Sequence, residues 1–327
     1  MMQPDSKRFY SHGKLLLFGE YAVLDGATAL AIPTRFGQSL EIAGFGDRDK
    51  DTDGLKWQSR DSKGQPWFTT TFDSEELRRG DAANIPTKSA SPATDDAIRA
   101  RLLEILSVAL KLSGDKGFET INQKEIITHL EFPREWGLGT SSTLIANLSE
   151  LFGINPYALS DQTLGGSGYD LACAGAAGPI FYTRREAGAP EITAAPFQPA
   201  FADSLYFVFS GNKQDSRAGI KRYREQGRDT ASLLQSLTAI SKAMATTQSL
   251  EVFQQGMQES EALLSEALDF EPVQKRLFSD YPGAIKSLGA WGGDFILAAG
   301  NENTPGYFNS RGYQTVLRYS EMALPES

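Results

Sequence analysis

The sequence is poor in the residues that most often announce a function. One cysteine, Cys173, in 327 residues excludes an intrachain disulfide framework and a cysteine metal cluster. The two histidines, His12 and His129, lie far apart in sequence. That argues against a histidine zinc site and for a structural or surface role for each. No apolar run is long enough to span a bilayer, and the polar start Met1-Met-Gln-Pro-Asp-Ser-Lys7 lacks the apolar region of a signal peptide. The expectation is a soluble cytoplasmic protein with no membrane association. An excess of positive charge is also missing. The formal net charge of -9 argues against a nucleic-acid partner, yet leaves room for a local basic pocket that takes an anionic small molecule.

What is present is a sizeable potential core, 40% hydrophobic residues, enough for one large or two medium domains. The most informative stretch is Pro133-Arg-Glu-Trp-Gly-Leu-Gly-Thr-Ser-Ser-Thr-Leu-Ile-Ala-Asn-Leu-Ser-Glu-Leu-Phe152, a glycine-rich turn entering an amphipathic helix. Gly137 and Gly139 allow dihedrals closed to other residues and close approach of a ligand. Thr140, Ser141 and Ser142 stand at the expected N-cap and first turn. Leu144, Ile145, Leu148, Leu151 and Phe152 recur at helical spacing. A helix start presents unpaired N–H groups and partial positive charge, which suit a phosphate, and the hydroxyls add phosphate or Mg²⁺ contacts. The order fits neither a Gly-x-x-x-x-Gly-Lys-Ser/Thr loop nor a dinucleotide Gly-x-Gly-x-x-Gly turn. An ordinary glycine turn with a serine-capped helix is the plainer alternative.

Along the chain, Lys14–Phe18 reads as a buried strand, followed by a turn or short helix to Gly26. A second apolar run, Ala29–Ile32, stops at Pro33, and a further strand covers Phe36–Ile42. Residues 44–98 are polar, with one or two hairpins near 54–59 and 66–73 and a loop at Ser89–Thr94 that is either a lid or a plain surface excursion. Asp95–Leu112 reads as a helix ended by Gly114, and Glu125–Phe132 as a strand feeding the glycine turn. A short helical piece, Asn155–Leu159, opens on Pro156. Small residues from Gly165 to Gly178 surround one acid, Asp170, in a glycine-rich loop, and Pro179–Tyr182 follows as a strand. Residues 185–203 read as a linker and Leu205–Phe209 as a strand. Helices are expected at about 215–226, 230–244 and 249–267. Lys213 and Arg217, at the start of the first of these, are either solvated or aimed at an anion. A glycine turn, Gly289–Gly293, then enters a strand at Phe295–Ala299, and Gln314–Leu317 reads as an edge strand.

Three of these glycine-containing segments, in this order, resemble the motifs of the GHMP kinases, the superfamily of galactokinase, homoserine kinase, mevalonate kinase and phosphomevalonate kinase. They are Gly13-Lys-Leu-Leu-Leu-Phe-Gly-Glu-Tyr-Ala-Val-Leu-Asp-Gly26, Pro133-x-x-x-Gly-Leu-Gly-Thr-Ser-Ser142 and Lys286-Ser-Leu-Gly-Ala-Trp-Gly-Gly-Asp294. Gly166-Ser-Gly-Tyr-Asp-Leu-Ala172 is similar to that family's Ser-Gly-x-Asp segment. The resemblance implies a two-domain α/β fold. Residues 1–185 would form an ATP-binding domain with a left-handed β-α-β unit, and residues 186–327 a ferredoxin-like α/β domain. It further implies ATP held by Gly137, Leu138, Gly139, Thr140, Ser141 and Ser142, and Mg²⁺ held by Ser141. Asp170 falls on the catalytic aspartate and Lys14 on its associated lysine. The acceptor would lie near Glu20, Tyr21, Lys213, Ser216 and Arg217, with Gly289, Gly292 and Gly293 helping to close the site.

On that resemblance Asp170 takes or orients the proton of an acceptor hydroxyl, and Lys14 keeps Asp170 ionised. Backbone N–H groups, Mg²⁺ and Lys14 steady charge on the transferred phosphoryl group. Gly-Glu-Tyr in the first motif and Gly-Gly-Asp in the third are similar to phosphomevalonate kinases, so the expected acceptor is phosphomevalonate or mevalonate. A sugar or amino-acid alcohol is the alternative within the kinases, and a GHMP-fold ligand sensor without turnover is the alternative outside them. Three departures bear on the choice. Trp291 interrupts the third glycine run, Gly-Tyr-Asp-Leu-Ala is a divergent form of its segment, and the acid nearest to the mevalonate kinases' metal-binding glutamate, Asp161, is at a shifted position. The expected partner is a small-molecule substrate, with a homodimer left open.

Overall fold

In a computed structural model the described residues are 6–45, 53–79, 94–186, 188–211, 216–225, 230–289 and 294–325. The chain forms two compact units interleaved in sequence. The first takes Met1–Ser11, Gly37–Pro133 and Thr140–Leu171, and the second takes His12–Phe36, Arg134–Gly139 and Ala172–Ser327.

Two long strands, β1 (Lys7–Phe18) and β2 (Ala29–Gly44), pair with each other and supply residues to both units. The sequence reading broke β2 at Pro33, but the strand runs straight through it. Proline removes one N–H donor without forbidding extended backbone, and the Pro33 carbonyl accepts from Leu324 N–H at 3.0 Å.

In the first unit β3 (Leu55–Arg60) and β4 (Pro66–Phe72) make one antiparallel hairpin. Asp61 closes its turn by accepting from the N–H groups of Lys63 and Gln65, both at 2.9 Å. Helices α1 (Ser74–Arg79), α2 (Asp95–Ser113) and α3 (Asp115–Ile121) follow. Thr94 caps α2, with its hydroxyl accepting from Ala97 N–H. Strand β5 (Lys124–Leu130) lies between β3, to which it is parallel, and the Gln38–Gly44 half of β2. Then come α4 (Thr140–Phe152), α5 (Pro156–Asp161) and α6 (Tyr169–Ala174). Apolar faces of the sheet and helices enclose a core around Trp57, Phe72, Leu106, Ile126, Ile145 and Leu148. The stretch read as a glycine loop around Asp170 contains α6. Short helices α1 and α3 gave no periodic signal because each spans fewer than three turns.

In the second unit β6 (Ile180–Thr183) pairs with Ala29–Ala31 of β2 and with β7 (Glu191–Ala194). Residues 185–203, read as a linker, therefore include a strand, one paired to β6 through its backbone with every side chain exposed. A separate antiparallel sheet is built from β8 (Leu205–Phe209), with β9 (Ala284–Ser287), β10 (Phe295–Ala299) and β11 (Val316–Arg318) in the order β11-β8-β10-β9. Its central strands are nearly all apolar, as burial on both faces requires. The helices here are α7 (Ser216–Glu225), α8 (Thr230–Thr246), α9 (Leu250–Leu268), α10 (Val273–Leu277), α11 (Thr304–Asn309) and α12 (Tyr319–Met322). Among the described residues no helix is long and apolar enough to cross a membrane.

Candidate active site

The second unit holds the first and third glycine motifs and the Arg134–Gly139 turn of the second. Lys14, half-buried near the end of β1, donates its backbone N–H to the carbonyl of Leu138 at 3.0 Å. Its ammonium donates to the carbonyl of Gly137 at 2.9 Å. Two bonds from one residue thus pin the first motif to the second. Gly137 has φ 65°, and a β-carbon there would overlap the carboxylate of Asp294, so both backbone and space demand glycine. Asp294 belongs to the third motif, and its own carbonyl accepts from Ser210 N–H at 2.8 Å. Trp136, just before the turn, packs edge-on to Phe36 and to Phe295. Leu138 is completely buried and anchors the turn from below.

The turn runs directly into α4. In the first turn of this helix Ser141 is exposed, while Ser142 and Thr143 are buried. Thr143 donates to the Gln38 side chain at 2.7 Å, and Asn147 donates to the Gln38 carbonyl at 2.9 Å while accepting from Ser11 at 2.9 Å. A buried polar network of this kind fixes the helix against β2 in both position and rotation. The brace is invisible in sequence, because Gln38 and Ser11 carry no motif of their own. Asp170 stands in the first turn of α6, partly exposed, with Oδ1 accepting from Leu171 N–H at 3.0 Å.

Glu20, expected beside the acceptor, is completely buried and ion-paired to Lys286 of β9. Lys286 also donates to the Ser287 carbonyl at 2.8 Å and lies 5.3 Å from the Phe18 ring centroid. Burial raises the Glu20 pKa, and Lys286 pulls it back. Glu261, in the middle of α9, accepts from Ser287 N–H at 3.0 Å. Its pKa is pushed up to about 8, mainly by burial, with Lys286 opposing the rise and Glu20 adding to it. Sequence did carry a signal for Glu261. It falls on the buried stripe Phe253, Met257, Ser260, Leu264 and Leu268 of α9, where an acid is out of place.

Tyr21 is buried, with φ 59°, its hydroxyl against the α-carbon of Gly219 and its ring stacked on Tyr223 at 5.8 Å. It ties the first motif to α7. Ser216 and Arg217 open α7, with only their backbone described. Gly289 has φ 66° and open space beside it. Lys213, Gly292 and Gly293 lie outside the described residues.

No protein-family model matches the chain, and no curated protein matches it in sequence. Solved structures do match. The mevalonate kinase of L. major, in complex with R-mevalonate, aligns over 100% of both chains with TM-score 0.64 and 18% identity. Streptococcus pneumoniae phosphomevalonate kinase, in complex with phosphomevalonate and AMPPNP, aligns over 95% of this chain and 99% of its own, with TM-score 0.65 and 16% identity. This chain has the GHMP kinase fold. Lactococcus lactis galactokinase complexed with galactose shares that fold over 99% of this chain and 94% of its own, with TM-score 0.63 and 12% identity.

The backbone of the glycine turn before α4 suits an anion at a helix start. Gly137 and Gly139 both have positive φ, at 65° and 97°, and Ser141 is exposed in the first turn of α4. Among the described residues no cluster of three or more histidine, cysteine or acidic side chains could hold a metal alone. A Mg²⁺ ion here would rest on Ser141 together with the nucleotide's own phosphates.

Proposed function

We propose that the protein is an ATP-dependent small-molecule kinase of the mevalonate branch, with phosphomevalonate or mevalonate as acceptor. The observation that carries this reading is the double attachment of Lys14 to the Gly137–Leu138 turn, immediately before a helix that opens with an exposed serine. It supports an anion site with a fixed ammonium beside it.

In this reading Gly137, Leu138, Gly139, Thr140, Ser141 and Ser142 hold the nucleotide, and Ser141 takes the Mg²⁺. Bound Mg-ATP supplies the phosphoryl group. Asp170 accepts the proton of the acceptor hydroxyl or orients it, and Lys14 offsets negative charge. Glu20 and Tyr21 shape the acceptor site from beneath, because both are buried and bonded within the protein. Lys213, Ser216, Arg217, Gly289, Gly292 and Gly293 complete the acceptor side of the proposal. The division into an ATP-binding domain and a C-terminal domain near residue 185, a cytoplasmic location and a homodimer belong to the same proposal. The likeness to galactokinase, TM-score 0.63 beside 0.65 for the phosphomevalonate kinase, favours a sugar kinase as the second reading.

The deciding experiment is ADP release with Mg-ATP and each of phosphomevalonate, mevalonate, galactose and homoserine, repeated with Asp170→Asn. Turnover with one acceptor that disappears in the variant supports a kinase and names its acceptor. Turnover with galactose alone would replace the mevalonate-branch reading. Nucleotide binding without turnover on any of the four would sink it in favour of a sensor.

A further inference from the structure

Among the described residues, three carboxyl or ammonium side chains are withdrawn from solvent almost completely: Glu20, Glu261 and Lys286, with 1%, 2% and 0% exposure. They come from three separate places in the second unit, the turn after β1, the middle of α9 and strand β9. Lys286 bonds Glu20, and Glu261 bonds the backbone of Ser287, the residue after Lys286. Helix α9 therefore grips the third glycine motif by its backbone, while the third motif grips the first by an ion pair.

The charges in this cluster do not balance if both acids ionise. One ammonium would then face two carboxylates, leaving a net negative charge in an apolar interior, which costs several kcal/mol after relaxation. The remaining oxygens make that state worse. Glu20 Oε2 and Glu261 Oε2 are both buried and make no full hydrogen bond, and the backbone of Val273 beside Glu261 and of Gly19 beside Glu20 offsets only part of the burial. Among the side chains described on the neighbouring helices no further buried cation is at hand. Lys242 of α8, Lys221, Arg222 and Arg224 of α7, and Lys275 and Arg276 of α10 are all exposed, as are the acids Asp25, Glu225, Glu259 and Glu266. Strand β10 carries no charged residue.

We propose that Glu20, Lys286 and Glu261 form a one-proton clasp between the first and third glycine motifs, in which Glu20 is ionised against Lys286 and Glu261 stays protonated. Glu261 is then a positioning residue. It touches no substrate, but it sets where β9 ends, one residue before the Leu288–Gly289 turn. Raising the pH removes its proton, places a second carboxylate against one ammonium and loosens the clasp. The sign follows from linkage. The folded-state pKa of Glu261 is raised above the ordinary 4.5 to about 8, so its stabilising contribution is complete below pH 4.5 and is lost as pH rises toward 8. The clasp does not depend on the kinase reading.

The test compares melting temperature against pH for the wild-type protein and Glu261→Gln. Glutamine copies the protonated acid, keeps an acceptor for Ser287 N–H and cannot ionise. The wild type should match the variant near pH 5, fall behind it by a few degrees as pH rises to 8, and then run parallel. Parallel curves throughout would overturn the clasp. A second measurement needs no variant. Carboxyl ¹³C resonances of the glutamate-labelled wild type should include one that titrates near pH 8, whereas titration of every carboxyl in the ordinary range would overturn the proposal even if Glu261→Gln failed to fold.

Discussion

The carboxylate of Asp294 lies over the α-carbon of Gly137, where the third glycine motif covers the second. The two residues are 157 positions apart in a chain of 327, and neither tolerates much change in the other. Gly137→Ala meets two separate penalties. The positive φ costs an alanine about 1 kcal/mol, and the β-carbon overlaps Asp294. Gly153→Ala is the matched control, since its φ is also 65° but nothing stands beside it. Gly137→Ala should melt lower than Gly153→Ala and lose stabilisation by Mg-ATP, while Gly153→Ala keeps it. Equal melting of the two variants would show that Asp294 does not confine the turn.

Lys14→Met should separate binding from turnover. The methionine keeps most of the buried stem but loses the bond to the Gly137 carbonyl and the charge. Loss of one fixed donor at a site of developing charge lowers kcat by roughly 10²- to 10³-fold. Steady-state ADP release would show this, and a change confined to KM would mean that Lys14 only binds.

Asp170→Asn should leave stability within about 0.5 kcal/mol, because the side chain is partly exposed and asparagine still offers an oxygen to Leu171 N–H. Turnover should nevertheless be lost. Urea unfolding beside the activity assay distinguishes this from a folding defect, and a large drop in stability would assign Asp170 a structural role in α6 instead.

Lys286→Met leaves Glu20 buried without its cation, a change that typically costs about 3–5 kcal/mol. Adding Glu20→Gln removes the orphaned charge, so the double variant should recover much of the loss. A double-mutant cycle by chemical denaturation measures the coupling directly. Additive losses would show that the pair is not coupled in the folded protein.

Much of the fold could be read from the chain because its long elements repeat one local rule many times. Helices α2, α4 and α9 each carry an apolar stripe over three turns or more, and α2 and α9 have side-chain caps where Thr94 and Ser249 stand. The apolar run of β8 likewise marks a strand buried on both faces. Strand β7, the short helices α1 and α3, and the passage of β2 through Pro33 were not legible. Strand β7 and the two helices are too short to carry a periodic signal, and the passage through Pro33 is fixed by a distant partner, since Leu324 bonds the Pro33 carbonyl.

The candidate site divides in the same way. Sequence by itself determined the residue types and their order: the glycine turn before a hydroxyl-rich helix start, Lys14 in the first motif, Asp170 among small residues, Lys286 and Asp294 at either end of the third motif. Those follow from backbone freedom and side-chain chemistry, which are local properties. Tertiary structure alone decided that Glu20 is sealed against Lys286, that Glu261 reaches Ser287 from another helix, and that Gly137 lies under Asp294. A charge becomes a buried ion pair, and an acid keeps its proton near neutral pH, only when distant segments fold around it and exclude water, and no spacing along the chain encodes that exclusion.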